Sequence, residues 1–146
     1  MAERGKRTIF VDEGRINAIE ALATTATILP GMSLVQSASG FAPDNQADTV
    51  GAPLVIADYD FLKAEDVDTA WGNGQTVTAR MLTPNMRANA RVATGNNITA
   101  RGVRLARDGV QIGNLKIAGA GDVAVAVSDE IINVTANDTL VRIRGI

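Results

Sequence analysis

The sequence predicts an all-β protein, a small barrel or sandwich of short strands carrying at most one short helix. Three observations support that expectation. Apolar and polar residues alternate over short windows such as Thr76–Leu82 and Thr139–Arg144, the period of a half-buried strand. Glycine occurs 14 times in 146 residues, and turn dipeptides recur at short intervals between these windows, as in sandwiches and barrels. Hydrophobic residues make up 46% of the chain but aromatics only 3%, so alanine and valine fill much of a core that is thin. Such a core buries little apolar area per residue, and the fold is expected to lean on oligomer contacts.

The elements follow in order. Residues 1–15 are polar and charged around one apolar patch, Ile9-Phe10-Val11, which is either a docking arm or a frayed tail. We draw an arm over 1–17 and a single domain over 18–146. Ala18 to Thr27 is rich in alanine and threonine and leads into Pro30-Gly31, where proline sets φ and glycine takes a positive value. Met32 to Gln36 resumes a strand, Gly40 to Asp48 is a loop, and Ala52 to Ala57 is a buried run entered through Pro53. Residues 58–74 are irregular, with room for one short helix over Phe61–Ala70 and Trp71 as its apolar anchor.

Val77, Ala79 and Met81 alternate with polar neighbours in the next strand. Met86, Ala88, Ala90 and Val92 do the same against Arg87, Asn89 and Arg91, so period two outweighs the helix start that Thr83-Pro84 would suit. Gly95-Asn-Asn97 is a turn. Val103–Ala106 and Asn114–Ala118 form a hairpin around Asp108-Gly109. Gly119-Ala-Gly121 turns the chain again before Val123–Val127. The last strand, Thr139–Arg144, points Val141 and Ile143 inward and both arginines outward.

Composition narrows the function. A net charge of −2 is unlike the basic surplus of a general nucleic-acid binder. The chain has no cysteine, which removes disulfides and thiolate metal sites and suits a reducing cytoplasm. The first 18 residues hold no signal-like apolar run, and no stretch approaches the ~20 apolar residues of a membrane span. A soluble protein outside the ordinary export route is expected.

Each catalytic or ligand motif lacks a necessary part. Gly119-Ala-Gly121-Asp-Val-Ala124 fits a loose dinucleotide fingerprint, but β-branched alternation follows where a helix must begin. Asp66-Val-Asp68, with Asp58, Asp60 and Glu65 nearby, offers oxygen ligands, yet Ala70 and Trp71 occupy positions where a calcium loop needs a third ligand and glycine. There is no histidine to activate a serine or threonine, and none of Lys6, Lys63 and Lys116 lies in a Ser-x-x-Lys pattern. No catalytic residue, metal ligand or cofactor is therefore assigned, and the chain is not expected to be an enzyme.

Charge is unevenly spread. From Asp44 to Asp68 there are seven acidic residues against Lys63 alone, and from Arg80 to Arg107 six arginines and no acid. Either these charges are simply solvated, or each subunit's arginine face meets a neighbour's acidic loop through planar, paired hydrogen bonds. The second reading singles out Asp58, Asp60, Asp68, Arg80, Arg87 and Arg91 as an oligomer interface.

The run Ala21–Met32 (ALATTATILPGM) resembles the opening of the capsid decoration, or head cement, proteins of tailed bacteriophages. The similarity continues through Ala52–Asp58, Val67–Val77, Ala93–Ile98, the hairpin Gly102–Ile117 and Val141–Arg144. It spans roughly residues 18–146, with the elements in the family's order. The resemblance implies a β-tulip-like domain on the outer surface of a mature icosahedral head, made in the bacterial host's cytoplasm. Its implied partners are the major capsid protein and two further copies of itself as a homotrimer, with neither membrane nor nucleic acid. The arm would then bind the capsid through Arg4, Lys6, Arg7, Ile9, Phe10 and Val11. The charged leader and the longer segment 58–75 depart from the simplest members. A tail or baseplate component, or a host-surface-binding β module, is the alternative.

Overall fold

The computed structural model describes residues 6–11 and 18–146. Over these residues the chain is nearly all β, as expected. The strands are β1 (Ala18–Leu22), β2 (Leu34–Ser37), β3 (Gly40–Pro43), β4 (Leu54–Ala57), β5 (Thr76–Leu82) and β6 (Arg87–Val92). They continue as β7 (Asn97–Ile98), β8 (Arg104–Arg107), β9 (Leu115–Ile117), β10 (Ala126–Ser128), β11 (Ile132–Asn133) and β12 (Thr139–Gly145).

Five of them close into a barrel in the order β10-β12-β6-β9-β8. Closure reduces exposed sheet edge, which is how small β proteins avoid edge-to-edge pairing, although β6 and β9 meet at one pair only. The barrel encloses Ala88, Val92, Leu105, Leu115, Val141 and Ile143. Beside it lies the three-stranded sheet β1-β5-β4 and the hairpin β2-β3. These cover a second cluster built on Ile28, Phe41, Trp71, Val77 and Ala79.

Several turns follow from local chemistry. Leu29–Met32 closes with a Met32 N–H to Leu29 carbonyl bond of 3.1 Å and Gly31 at φ 88°, the conformation that glycine adopts without a Cβ penalty. The β8–β9 hairpin pairs Leu105 with Ile117 and Arg107 with Leu115. Asp108 Oδ1 caps its loop by accepting from Val110 N–H at 2.9 Å. Gly119–Asp122 is likewise a turn, with Gly119 N–H donating to Asp122 Oδ2 at 2.7 Å.

Four elements depart from the sequence reading. Gly40–Pro43 is a strand, not loop, because Gly40 (φ 132°) brings the chain against Leu22, where a Cβ would meet the Leu22 carbonyl. The expected helix over 61–70 is a single 3-10 turn, Phe61–Lys63. Asp60 Oδ1 accepts Lys63 N–H, Asp66 Oδ1 accepts Asp68 N–H, and Ala64 takes φ 56°; side chains that cap turns in this way compete with helix. Met81 is exposed while Leu82 is buried, so the alternation in β5 breaks at its end. In β6 the polar positions Asn89 and Arg91 are also buried, because that face is covered by other segments.

Candidate interaction surface

The covering of β6 begins with the N-terminal segment. β9 pairs with β6 only at Val92–Leu115. The rest of that edge is shared by residues 9–11 and the Gly31 carbonyl, which accepts Arg91 N–H at 2.9 Å: Asn89 N–H donates to the Ile9 carbonyl at 2.6 Å, and Val11 N–H to the Arg87 carbonyl at 3.2 Å. Phe10 forms an antiparallel bridge with Ala88. Ile9 is fully buried in the barrel cluster, and the Arg80 guanidinium lies 5.6 Å from the Phe10 ring centroid, within cation–π range. Lys6 pairs with Glu130 at 2.8 Å. The expectation of an exposed Ile9–Val11 patch is therefore corrected: an open strand edge and an apolar barrel claim it first. Arg7 remains exposed, and Arg4 lies outside the described residues.

The residues expected at an oligomer interface do not share one environment. Arg91 is turned inward. Its Nε donates to the Pro30 carbonyl at 2.7 Å, Nη1 to the Asp138 carbonyl at 2.7 Å, and Nη2 to the Val67 carbonyl, while Asp68 Oδ1 lies 3.3 Å away. Burial holds the guanidinium below its usual pKa, and Asp68 opposes that shift. Asp58 and Arg80 pair with each other at 3.4 Å. Burial raises the Asp58 carboxyl above the usual range, against the Tyr59 amide and Arg80. Asp60 Oδ1 accepts the Lys63 N–H at 3.3 Å. Arg87 and Asp68 are exposed, and Arg87 stands opposite Arg144 across the β6–β12 ladder. Arginine and acid do meet as the charge pattern suggests, but Arg91–Asp68 and Arg80–Asp58 meet within one chain.

One buried ion pair escaped the sequence reading. Arg107 Nε lies 2.7 Å from Asp44 Oδ2, which also accepts the Ser33 hydroxyl at 2.7 Å. The guanidinium donates to the carbonyls of Val50, Gly51 and Pro53 as well. Every part of this pair is hydrogen-bonded, the condition under which burying two charges is tolerated. It fixes the loop 44–53 against the barrel.

That loop frames one end of the molecule. Gly109 approaches Ala47 and Asp48, Lys116 pairs with Asp48 at 2.8 Å and with Asp122 at 3.5 Å, and Val123 N–H donates to the Asp48 carbonyl. The loops 44–53, 108–113 and 119–123 are thus joined. They expose Val110 (87%), Ile112 and Val123 to solvent. Exposed aliphatic side chains on tied loops make this region a candidate contact surface. The sequence signal was available: Val110 and Ile112 are apolar residues at the tip of a predicted hairpin.

Depressions among the described residues lie elsewhere. One of about 370 Å³ is lined by Glu20, Tyr59, Asp60, Trp71, Thr76 and Thr78, among others. Another of about 400 Å³ is lined by Lys6, Arg7 and Glu65–Asp68. Among the described residues no group of three or more acidic side chains is placed to hold a metal ion.

No family model matches the chain, and the search of curated proteins found no match.

Proposed function

We propose that this chain is a decoration protein of a tailed-bacteriophage head, binding the outer surface of the mature capsid as a homotrimer and bridging major capsid subunits without chemistry. The observation that carries the reading is the apolar loop end, where Val110, Ile112 and Val123 stand exposed on loops tied down by Arg107 and Lys116. A surface held in place before binding loses little conformational entropy on docking. Three such surfaces in one trimer bind far more tightly than one, through effective concentration. The ordered resemblance of residues 18–146 to head cement proteins supplies the identity of the partner. The loop end takes over the docking role that the Ile9–Val11 patch was expected to play.

The test uses expanded heads of the phage that encodes the protein, stripped of outer proteins, and its unexpanded proheads. The full chain should sediment with expanded heads and not with proheads, and Val110→Asp should weaken attachment about tenfold or more, the effect of ~1.4 kcal/mol. Absence of any head association would end the reading. Unchanged attachment of Val110→Asp would remove the loop end from it.

A host-surface-binding module is the second reading. It is favoured by the depression where Tyr59 and Trp71 lie beside Thr76, Thr78 and Asp60, since aromatic and hydroxyl groups together suit a sugar. Imaging that placed the chain at the tail or baseplate would favour it over the first.

A further inference from the structure

We propose that the outer edge of β1 takes up an extended segment of a partner protein as an added strand, one in which apolar residues alternate with lysine or arginine. The contact uses none of the residues of the apolar loop end and goes beyond the head reading.

β1 is a terminal strand of the sheet β1-β5-β4. The opposite terminal strand, β4, is covered by residues 31–33. Ser33 bridges Ile56, Gly31 N–H donates to the Ala57 carbonyl, and Ala57 N–H donates to the Met32 carbonyl. Among the described residues, β1 is covered at its C-terminal end alone. There Ala23 turns its N–H to β5, donating to the Gln75 carbonyl at 2.8 Å, and Thr24 turns its own to the Phe41 carbonyl of β3 at 2.9 Å. Backbone groups alternate in direction along a paired strand, so Leu22, Glu20 and Ala18 also point away from β5. Gly40 closes over the Leu22 carbonyl, where a Cβ would strike the oxygen. The Leu22 N–H, and the N–H and carbonyl groups of Glu20 and Ala18, have no backbone partner among the described residues. Such a row is a template for another strand.

The two faces of this edge define what the added strand carries. Ile19 and Ala21 stand opposite Ala79 and Val77 and pack on the second apolar cluster, yet both remain only half-buried. Apolar side chains on one face of an added strand complete their cover. On the other face Glu20 stands opposite Thr78, is exposed, and enters no ion pair among the described residues. Its diagonal neighbour Arg80 is turned to Asp58 and to the Phe10 ring. Glu20 borders the depression of about 370 Å³ together with Asp60, two carboxylates against the single ammonium of Lys63, so a cation is favoured on that side. Successive residues of a strand point to opposite faces, which makes the two preferences an alternation. Glu20 also excludes β1 of a second copy. Two such strands paired antiparallel about their centres would set Glu20 against Glu20, and like charges directly opposite repel. The charge that keeps copies from joining edge to edge therefore selects a basic partner. Main-chain bonds supply the attraction in strand addition, and alternate side chains supply the choice.

The experiment uses the full chain, isotopically labelled for amide exchange, and a short blocked peptide in which valine alternates with lysine. At saturating peptide the amides of Ala18, Glu20 and Leu22 should exchange about tenfold more slowly, the net effect of one hydrogen bond each. Ile19 and Ala21, whose amides already face β5, should change less. A peptide alternating valine with glutamate, and one with the same valines and lysines in two blocks, should give no such pattern. Glu20→Lys should reverse the preference between the lysine and glutamate peptides, by about tenfold in Kd. Glu20→Pro removes one outward N–H on an edge strand, where proline is tolerated, and should abolish the protection; if that variant fails to fold, Glu20→Lys carries the test. Absence of protection with every peptide overturns the inference, as does equal slowing along the whole of β1. Equal binding of the alternating and blocked lysine peptides reduces the contact to charge attraction and overturns it too. Protection of Ala18 and Glu20 that grows with protein concentration alone gives the edge to a second copy, which also sinks it. None of these outcomes bears on the head reading, which Val110→Asp tests separately.

Discussion

The carboxylate of Asp44 is an exacting group, because its side chain is only 1% exposed and it is paired with the guanidinium of Arg107. Removing one member of a buried pair leaves the other uncompensated, at a cost of about 3–5 kcal/mol. Asp44→Ala should therefore show that loss in urea unfolding, and adding Arg107→Met should recover part of it. At the surface, Asp48 behaves differently. Its hydrogen bond to Lys116 holds its carboxyl below the usual range, and the same bond holds the Lys116 ammonium above its own. A carboxyl with a lowered folded pKa stabilises above its unfolded value and loses that effect as pH falls through the folded one. Lys116→Met should thus melt earlier than the parent at pH 7, with the difference fading below the usual carboxylate range and shrinking in high salt. Asp58 has the opposite sign: burial raises its pKa, so its contribution declines as pH rises from 3.8 to the raised value. The sequence displayed the excess of arginine and acid but not these pairings. Arg107 and Asp44 are 63 residues apart and Arg80 and Asp58 are 22 apart, and no local pattern connects them.

Among the elements, strands with one dry and one wet face were legible, and those covered on both faces were not. β12 keeps its alternation, with Val141 and Ile143 inward and Arg144 outward, although Arg142, also expected outward, is half-buried with its Nε covered. β6 does not, since residues 9–11 and the Gly31 carbonyl complete its edge and bury Asn89 and Arg91. The two-residue ladder of β7 with β11 is too short to show any period. The N-terminal segment is the sharpest case: Ile9-Phe10-Val11 has the composition of a docking patch, and the nearest apolar surface is its own barrel. Ile9→Ala should cost about 2–5 kcal/mol, the usual range for truncating a buried isoleucine, measured as a shift of the denaturation midpoint. An exposed docking residue would show no such loss.

At the scale of the whole molecule, the two apolar clusters share strands β4 and β5, and one polar side chain, Arg91, adds a further link between them. Arg91 reaches from the barrel to Pro30 beside the second cluster, and also to Val67 and Asp138. Lysine keeps the charge but cannot offer donors in three directions from one plane. Arg91→Lys should therefore leave the strands intact and raise amide exchange of Gly31, Asp68 and Asp138 relative to the barrel, read by hydrogen–deuterium exchange. Equal exchange in parent and variant would mean the clusters hold each other without it. The apolar loop end also exists only at this scale, since Val110 and Ile112 come from one segment and Val123 from another, with the loop 44–53 between them.

Local residue chemistry sufficed for the all-β class, the Pro30-Gly31 turn, the β8–β9 hairpin and the inward residues of the last strand. Each depends on φ preferences and alternation within a few residues. Tertiary structure decided the closure of the barrel, the docking of Ile9 and the conversion of Arg91 and Arg107 from surface charge to internal braces. Those outcomes depend on which distant backbone carbonyls and carboxylates arrive beside a guanidinium once the chain has folded. A buried donor must find acceptors wherever the fold supplies them, and sequence spacing does not specify that place.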